Sequence, residues 1–172
     1  MANTYTLIEA KTLGTATASV TFSSIPQTYT DLLLKVSARS DEAGGTAQST
    51  SLSFSINGVT TNRTFIYLTA FGGTTVESFS TTGGTIGTTP GTAATASTFN
   101  NTEIYLPNYT SSNNKSFSVD AVTENNLSTN NSLRLTAGLW SQTAAITSLG
   151  FTSGAGNFVQ YSTFYLYGIK KN

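Results

Sequence analysis

The stretch DLLLKVSAR, residues 31–39, places Leu32, Leu34, Val36 and Ala38 on one parity and Lys35, Ser37 and Arg39 on the other. A period of two is a strand's period, because successive side chains of an extended chain point to opposite faces. The same pattern recurs. In KSFSVDAV the apolar set is Phe117, Val119 and Ala121, with Ser116, Ser118 and Asp120 opposite. In SLRLTAGLW it is Leu133, Leu135, Ala137 and Leu139, and these are expected to face the core. Further strands are expected at 4–10, 19–25, 51–56, 64–70, 102–107, 145–151 and 162–169, about ten in all.

Nothing competes with this reading. Gly, Thr and Asn interrupt every window that could hold an amphipathic helix, and all three are poor helix formers. The chain has 172 residues, of which 33 are Thr, 22 Ser and 14 Asn. Thr suits a pleated, half-buried surface, whereas Ser and Asn suit turns. Almost no helix is expected. Many short strands must pack as two sheets or close into a barrel, and the unequal connections favour the former. The expected fold is all-β: a single-domain, two-sheet antiparallel β-sandwich of jelly-roll type spanning 1–172.

Two stretches complicate the pattern. Asn57-Gly58 is a strong two-residue hairpin signal, yet a tight turn there puts Phe65 on the face of Phe54 and Ile56 and turns Ile66 and Leu68 away. A longer loop through NGVTTNR is the favoured resolution, with a bulge as the other. Residues 71–98 are low in complexity and hold six of the 15 glycines, with one strand-like piece, VESFS. They are expected to form a long Gly/Thr-rich loop excursion, and its Phe71 and Ile86 are candidate partner contacts.

Composition removes most chemistries. The chain has no His and no Cys, which eliminates Ser-His-Asp and Cys-His nucleophile systems and ordinary zinc sites. Carboxylate chemistry survives on paper, from Glu9, Asp31, Asp41, Glu42, Glu77, Glu103, Asp120 and Glu124, but no spacing among them signals a catalytic pair. DEAGG and DAVTENN carry oxygen ligands without the spacing of a calcium loop. GGTTVES and GGTIGTT lack the GK[ST] of a phosphate loop. No enzyme, cofactor or metal is expected.

Eight cationic and eight anionic side chains cancel, and the cations are scattered apart from Lys170-Lys171, so a nucleic-acid partner is not expected. No run reaches transmembrane length and MANTYTLIEA is not a secretion signal, so neither a membrane nor export is expected. Aromatic residues are the remaining binding candidates. Trp140 shares the parity of Arg134 and Thr136, which places it either on an outer face or as a cap on the end of the core. In YSTFYLYGI, residues 161–169, Phe164 and Leu166 are expected in the core. Tyr165 and Tyr167 are expected to face a second layer or a neighbour, with TYTLIEA as the strand's natural partner.

The run VTFSSIPQTYTDLLLKVSAR, the FSING turn, EIYLPNYTSSNNKSFSVDAVTENN, GLWSQTAAITSLGF and GNFVQYSTFYLYGI resemble a group of small β-rich structural proteins of tailed bacteriophages, marine and cyanobacterial ones included. The likeness spans both ends of the chain and skips 71–98. It implies a jelly-roll virion component, assembled in the host cytoplasm and displayed on the virion surface. Such a component would be a capsid decoration or cement protein, a head fibre or part of a tail fibre, often a homotrimer. Its implied partners are the major capsid protein or tail components, and for a tail-fibre module a host glycan. No site residue carries over.

Overall fold

The structure, a computed structural model, describes residues 4–43, 49–72, 75–126 and 131–170. Gly44 and Gly45 of the DEAGG candidate, Gly73 of GGTTVES and Lys171 of the basic pair lie outside the described residues. The elements are β1 (Tyr5–Thr12), β2 (Ser19–Phe22), β3 (Asp31–Ser37), β4 (Ser49–Ile56), β5 (Arg63–Phe71), β6 (Thr75–Thr81), β7 (Thr85–Pro90), β8 (Asn101–Leu106), β9 (Lys115–Thr123), β10 (Ser132–Trp140), β11 (Leu149–Ser153) and β12 (Thr163–Ile169). No helix occurs among the described residues.

Every strand pairs antiparallel, in an eight-stranded sheet of order β1-β12-β3-β8-β9-β10-β5-β6 and a four-stranded sheet of order β2-β11-β4-β7. The chain passes from sheet to sheet at β1/β2, β2/β3, β3/β4 and β4/β5, and again around β7 and β11, so the small sheet interleaves early and late strands as a wrapped jelly roll does. All ten expected strands form. β1 pairs β12, as the two ends of the sequence suggested, and β3 pairs it on the other side.

The core joins the sheets through a continuous run of rings. Phe65 meets Phe117 with centroids 5.6 Å apart, Phe117 meets Phe54 at 6.0 Å, Phe54 meets Phe151 at 5.4 Å, Phe151 meets Phe164 at 5.5 Å, and Phe164 meets Phe158 at 5.1 Å. Offset and edge contacts of this kind each contribute about 0.5–1.5 kcal/mol beyond the area they bury. Leu32, Leu34, Val36 and Ala38 line this core, as do Val119 and Ala121, all on the parity the alternation assigns.

At the β10 end the expected parity is reversed. Ser132, Arg134, Thr136 and Trp140 are buried, while Leu133, Leu135 and Leu139 are exposed by 46%, 49% and 37%. On β5 Phe65 and Thr69 face inward, and Ile66 and Leu68 are exposed by 61% and 45%. The reason is the narrow gap between the layers. A Cβ on Gly87 of β7 would stand 2.8 Å from Ala121 Cβ of β9, across the gap between the sheets. A layer of leucines has no room there.

Instead the gap holds hydroxyls and a guanidinium. Thr88 Oγ1 donates to Thr123 Oγ1 at 2.9 Å and lies 2.8 Å from Ser132 Oγ. Arg134 Nη1 donates to the Thr85 carbonyl at 3.3 Å, and its guanidinium stacks 4.1 Å from the Tyr67 ring centroid. The Thr69 and Thr136 hydroxyls are buried without a hydrogen-bond partner. That arrangement carries an unrecovered desolvation cost.

The Asn57-Gly58 turn explains β5. Asn57 and Gly58 have φ of 50° and 77°, and Ile56 and Val59 exchange two 3.1 Å N–H···O bonds, so the tight turn forms. β5 then begins at Arg63 in the other sheet, with the loop running through Asn62 as expected. Ile66 and Leu68 nevertheless point outward, contrary to the purpose of that longer loop.

The 71–98 segment is not an excursion. β6 extends the large sheet beside β5, and β7 closes the small sheet beside β4 with Ile86 fully buried. The stretch 91–98 is held by a cation. Arg39 donates to the carbonyls of Gly91 (2.7 Å), Ala94 (3.1 Å), Thr95 (2.8 Å) and Thr98 (3.1 Å).

A second loop is tied by a carboxylate. Asp41 accepts from the Asn157 N–H at 2.6 Å and from Asn157 Nδ2 at 3.1 Å, and these bonds hold its pKa below the usual 3.8. A depressed carboxyl pKa stabilises the fold above the unfolded value, and that contribution is lost as pH falls through the folded one. Asp41→Ala is therefore expected to melt below the parent at neutral pH. Thermal melts should show the gap closing as pH drops under 3.8.

Candidate interaction face

The outer face of the eight-stranded sheet is a lattice whose rows follow from the strand register. One row runs Leu7, Tyr167, Leu33, Tyr105, Ser118, Ala137, Ile66 from β1 to β5. The next runs Ala10, Tyr165, Lys35, Glu103, Asp120, Leu135, Leu68, Ser78. A third runs Asn101, Val122, Leu133, Ala70, Val76. The face therefore has two ends, tyrosine-bearing at β1-β12-β3-β8 and aliphatic at β10-β5-β6, with charged groups between them.

At the tyrosine end Tyr5 is 59% and Tyr105 37% exposed. The Tyr165 and Tyr167 rings stand outward with centroids 6.5 Å apart, half-buried beside one another. Lys35 and Glu103 form a 2.7 Å ion pair, which raises the lysine pKa through the carboxylate bond and its charge. Both partners are about half exposed, so the pair contributes little to stability. Tyr105 donates to Asp31 Oδ2 at 2.8 Å, and this bond raises the phenol pKa.

At the aliphatic end Ile66, Leu68 and Leu135 form ridges around the small residues Ser118 and Ala137, enclosing an open groove of about 540 Å³ that Asp120 borders. A second groove lies between Ile66, Ala137 and Leu139, floored by Gly138. Six aliphatic side chains with 37% to 68% exposure share this region, Val76 being the most exposed.

The five sequence candidates divide. Tyr165 and Tyr167 are on the outer face as expected, and Phe71 is 38% exposed at the end of β5. Ile86 and Trp140, at 0% and 2%, are core residues and offer nothing to a partner. Trp140 packs under the Lys115 ammonium, 5.7 Å from its ring centroid, so of its two readings the core cap holds. The leucines assigned to the core are the surface group that the alternation hid.

The carboxylates form no catalytic arrangement among the described residues. Asp31, Asp41 and Glu124 accept hydrogen bonds from nearby backbone N–H groups, Glu9 pairs Lys11 and Glu103 pairs Lys35. Glu103 and Asp120 are cross-strand neighbours on the outer face, each at the side of an open groove. No group of three or more metal-ligating side chains occurs among the described residues.

Set against models of protein families, curated proteins and solved structures, the chain matches none of them.

Proposed function

We propose that this chain is a non-enzymatic structural protein of a phage virion, set on the particle surface as a decoration or cement protein. Its role is to cover and be covered, with the outer face of the eight-stranded sheet as the contact surface. The observation that carries this reading is the reversed amphipathicity of β5 and β10, with isoleucine and leucine outside and threonine, serine and arginine inside. A face left to water gains nothing from isoleucine and leucine, which stand 37% to 61% exposed there and would be stabilised by burial against a partner. Contiguous apolar surface of this kind marks a contact with another protein. The sequence resemblance to phage structural proteins supplies the particle.

The tyrosine end favours a second reading, a tail-fibre module that stacks host sugar rings on Tyr5, Tyr105 and Tyr167 beside the Lys35–Glu103 pair. One experiment separates the two. Mass spectrometry of purified particles should find the chain, and particle imaging should place it on the shell lattice. Density at the tail tip selects the sugar-binding reading, and absence from particles defeats both.

A further inference from the structure

We propose that the partner of the aliphatic face is a second copy of this chain, paired with it about a two-fold axis through β10 and β5. This deepens the structural role above and rests on it. The first ground is shape. The ridge of Leu135 and Leu68 runs beside the groove floored by Ser118 and Ala137, so a copy turned by half a revolution lays its ridge in the other's groove.

The second ground is area. Six aliphatic side chains, each between 37% and 68% exposed, present on the order of 500 Å², near the top of what a monomer's largest patch usually shows. With the surrounding hydroxyls, this approaches the roughly 800 Å² per partner of a stable interface. Charge is the third. Ser116, Ser118 and Thr64 border the patch, and a hydroxyl rim both donates and accepts, so it matches a copy of itself without needing opposite charge. Among the described residues Asp120 is the one charged side chain lining the groove, at its margin.

Two-fold pairing takes the place of the trimer that the resemblance implies. A ring needs two different complementary surfaces on different sides of the subunit, whereas both exposed apolar regions described above lie on one sheet face. Two such faces stacked about 10 Å apart would bury the leucines as a sandwich interior does.

Sedimentation equilibrium at micromolar concentration is the test. The parent should run at twice its 18.0 kDa mass. Leu135→Arg and Leu68→Arg should run at the single-chain mass with the parent's circular-dichroism spectrum and a cooperative melt that no longer rises with protein concentration, since both side chains are exposed. Leu135→Asp and Leu135→Lys should each be single chains, and mixing them should restore the double mass, which only self-contact at this face produces. A parent at one or three chain masses overturns the pairing, and so does a Leu135→Arg protein that stays paired. A single chain that still joins particles, and loses them on Leu135→Arg, sinks the self-pairing but leaves the structural role. A paired chain absent from particles does the reverse.

Discussion

Removing residues 162–172 should abolish soluble folding. β12 lies between β1 and β3, so its loss strips hydrogen bonds from two strands and leaves two new edges. Phe164 and Leu166 are both fully buried, and Phe164 is the link through which Phe158 joins the run of rings. Deleting the Phe164 ring alone, as Phe164→Ala, should cost about 3–5 kcal/mol, and Leu166→Ala about 2–5. The two together reach the total stability of many domains, about 5–15 kcal/mol. Expression of the truncated chain should give insoluble or uncooperative material, with Phe164→Ala folded but lowered in its denaturant midpoint. A truncated chain with a cooperative melt would sink the claim.

The second large effect is at Lys115. Its ammonium is buried, with 1% exposure for the residue, and donates to the carbonyls of Ser111 (2.6 Å), Thr143 (2.9 Å) and Ala144 (2.7 Å), with Gln142 more distant at 3.4 Å. Burial lowers its pKa, the expected direction for a cation withdrawn from water without a carboxylate. Lys115→Ala removes the donor from several carbonyls and opens a void over Trp140, at an expected cost of about 2–4 kcal/mol. Lys115→Met fills the volume but donates nothing, so in urea unfolding the gap between the parent and Lys115→Met measures the lost hydrogen bonds, and the gap between the two variants measures the void. Equal midpoints for the parent and both variants would show that the ammonium holds nothing.

Arg63 follows the same logic, bonded to the Phe54 and Thr60 carbonyls, with burial lowering its pKa to about 10.

The alternation of β3 and β9 could be read to the residue because those strands cross the middle of the core, where the apolar set has one place to go. On β10 the same rule failed. Parity divides a strand into two faces but does not say which one the fold covers, and here the aliphatic face is left for something else. Two clues pointed the right way. Trp140 shares the parity of Arg134 and is buried, and the Asn57-Gly58 turn, taken literally, sends Ile66 and Leu68 outward.

The deciding cause lies elsewhere in the chain. Gly87 and Ala121 come from strands that meet only across the sandwich, and their close approach closes the gap between layers. No local pattern encodes such a meeting. Within 71–98 the strand-like VESFS forms β6 as read, whereas β7 was hidden for a related reason, since TIGTTP extends beside an edge that β4 offers it. The outward tyrosines of β12, by contrast, were legible from alternation alone.

Lys115 grips main chain, and Arg39 grips main chain together with the Thr98 hydroxyl, at 3.1 Å. The loop at 142–144 and the segment at 91–98 are therefore held chiefly by atoms that every amino acid carries. Either stretch can exchange its side chains and keep its course, provided the carbonyls stay aimed at the cation. These are the parts of the molecule where new surface chemistry could be installed, by evolution or by design, without renegotiating the fold.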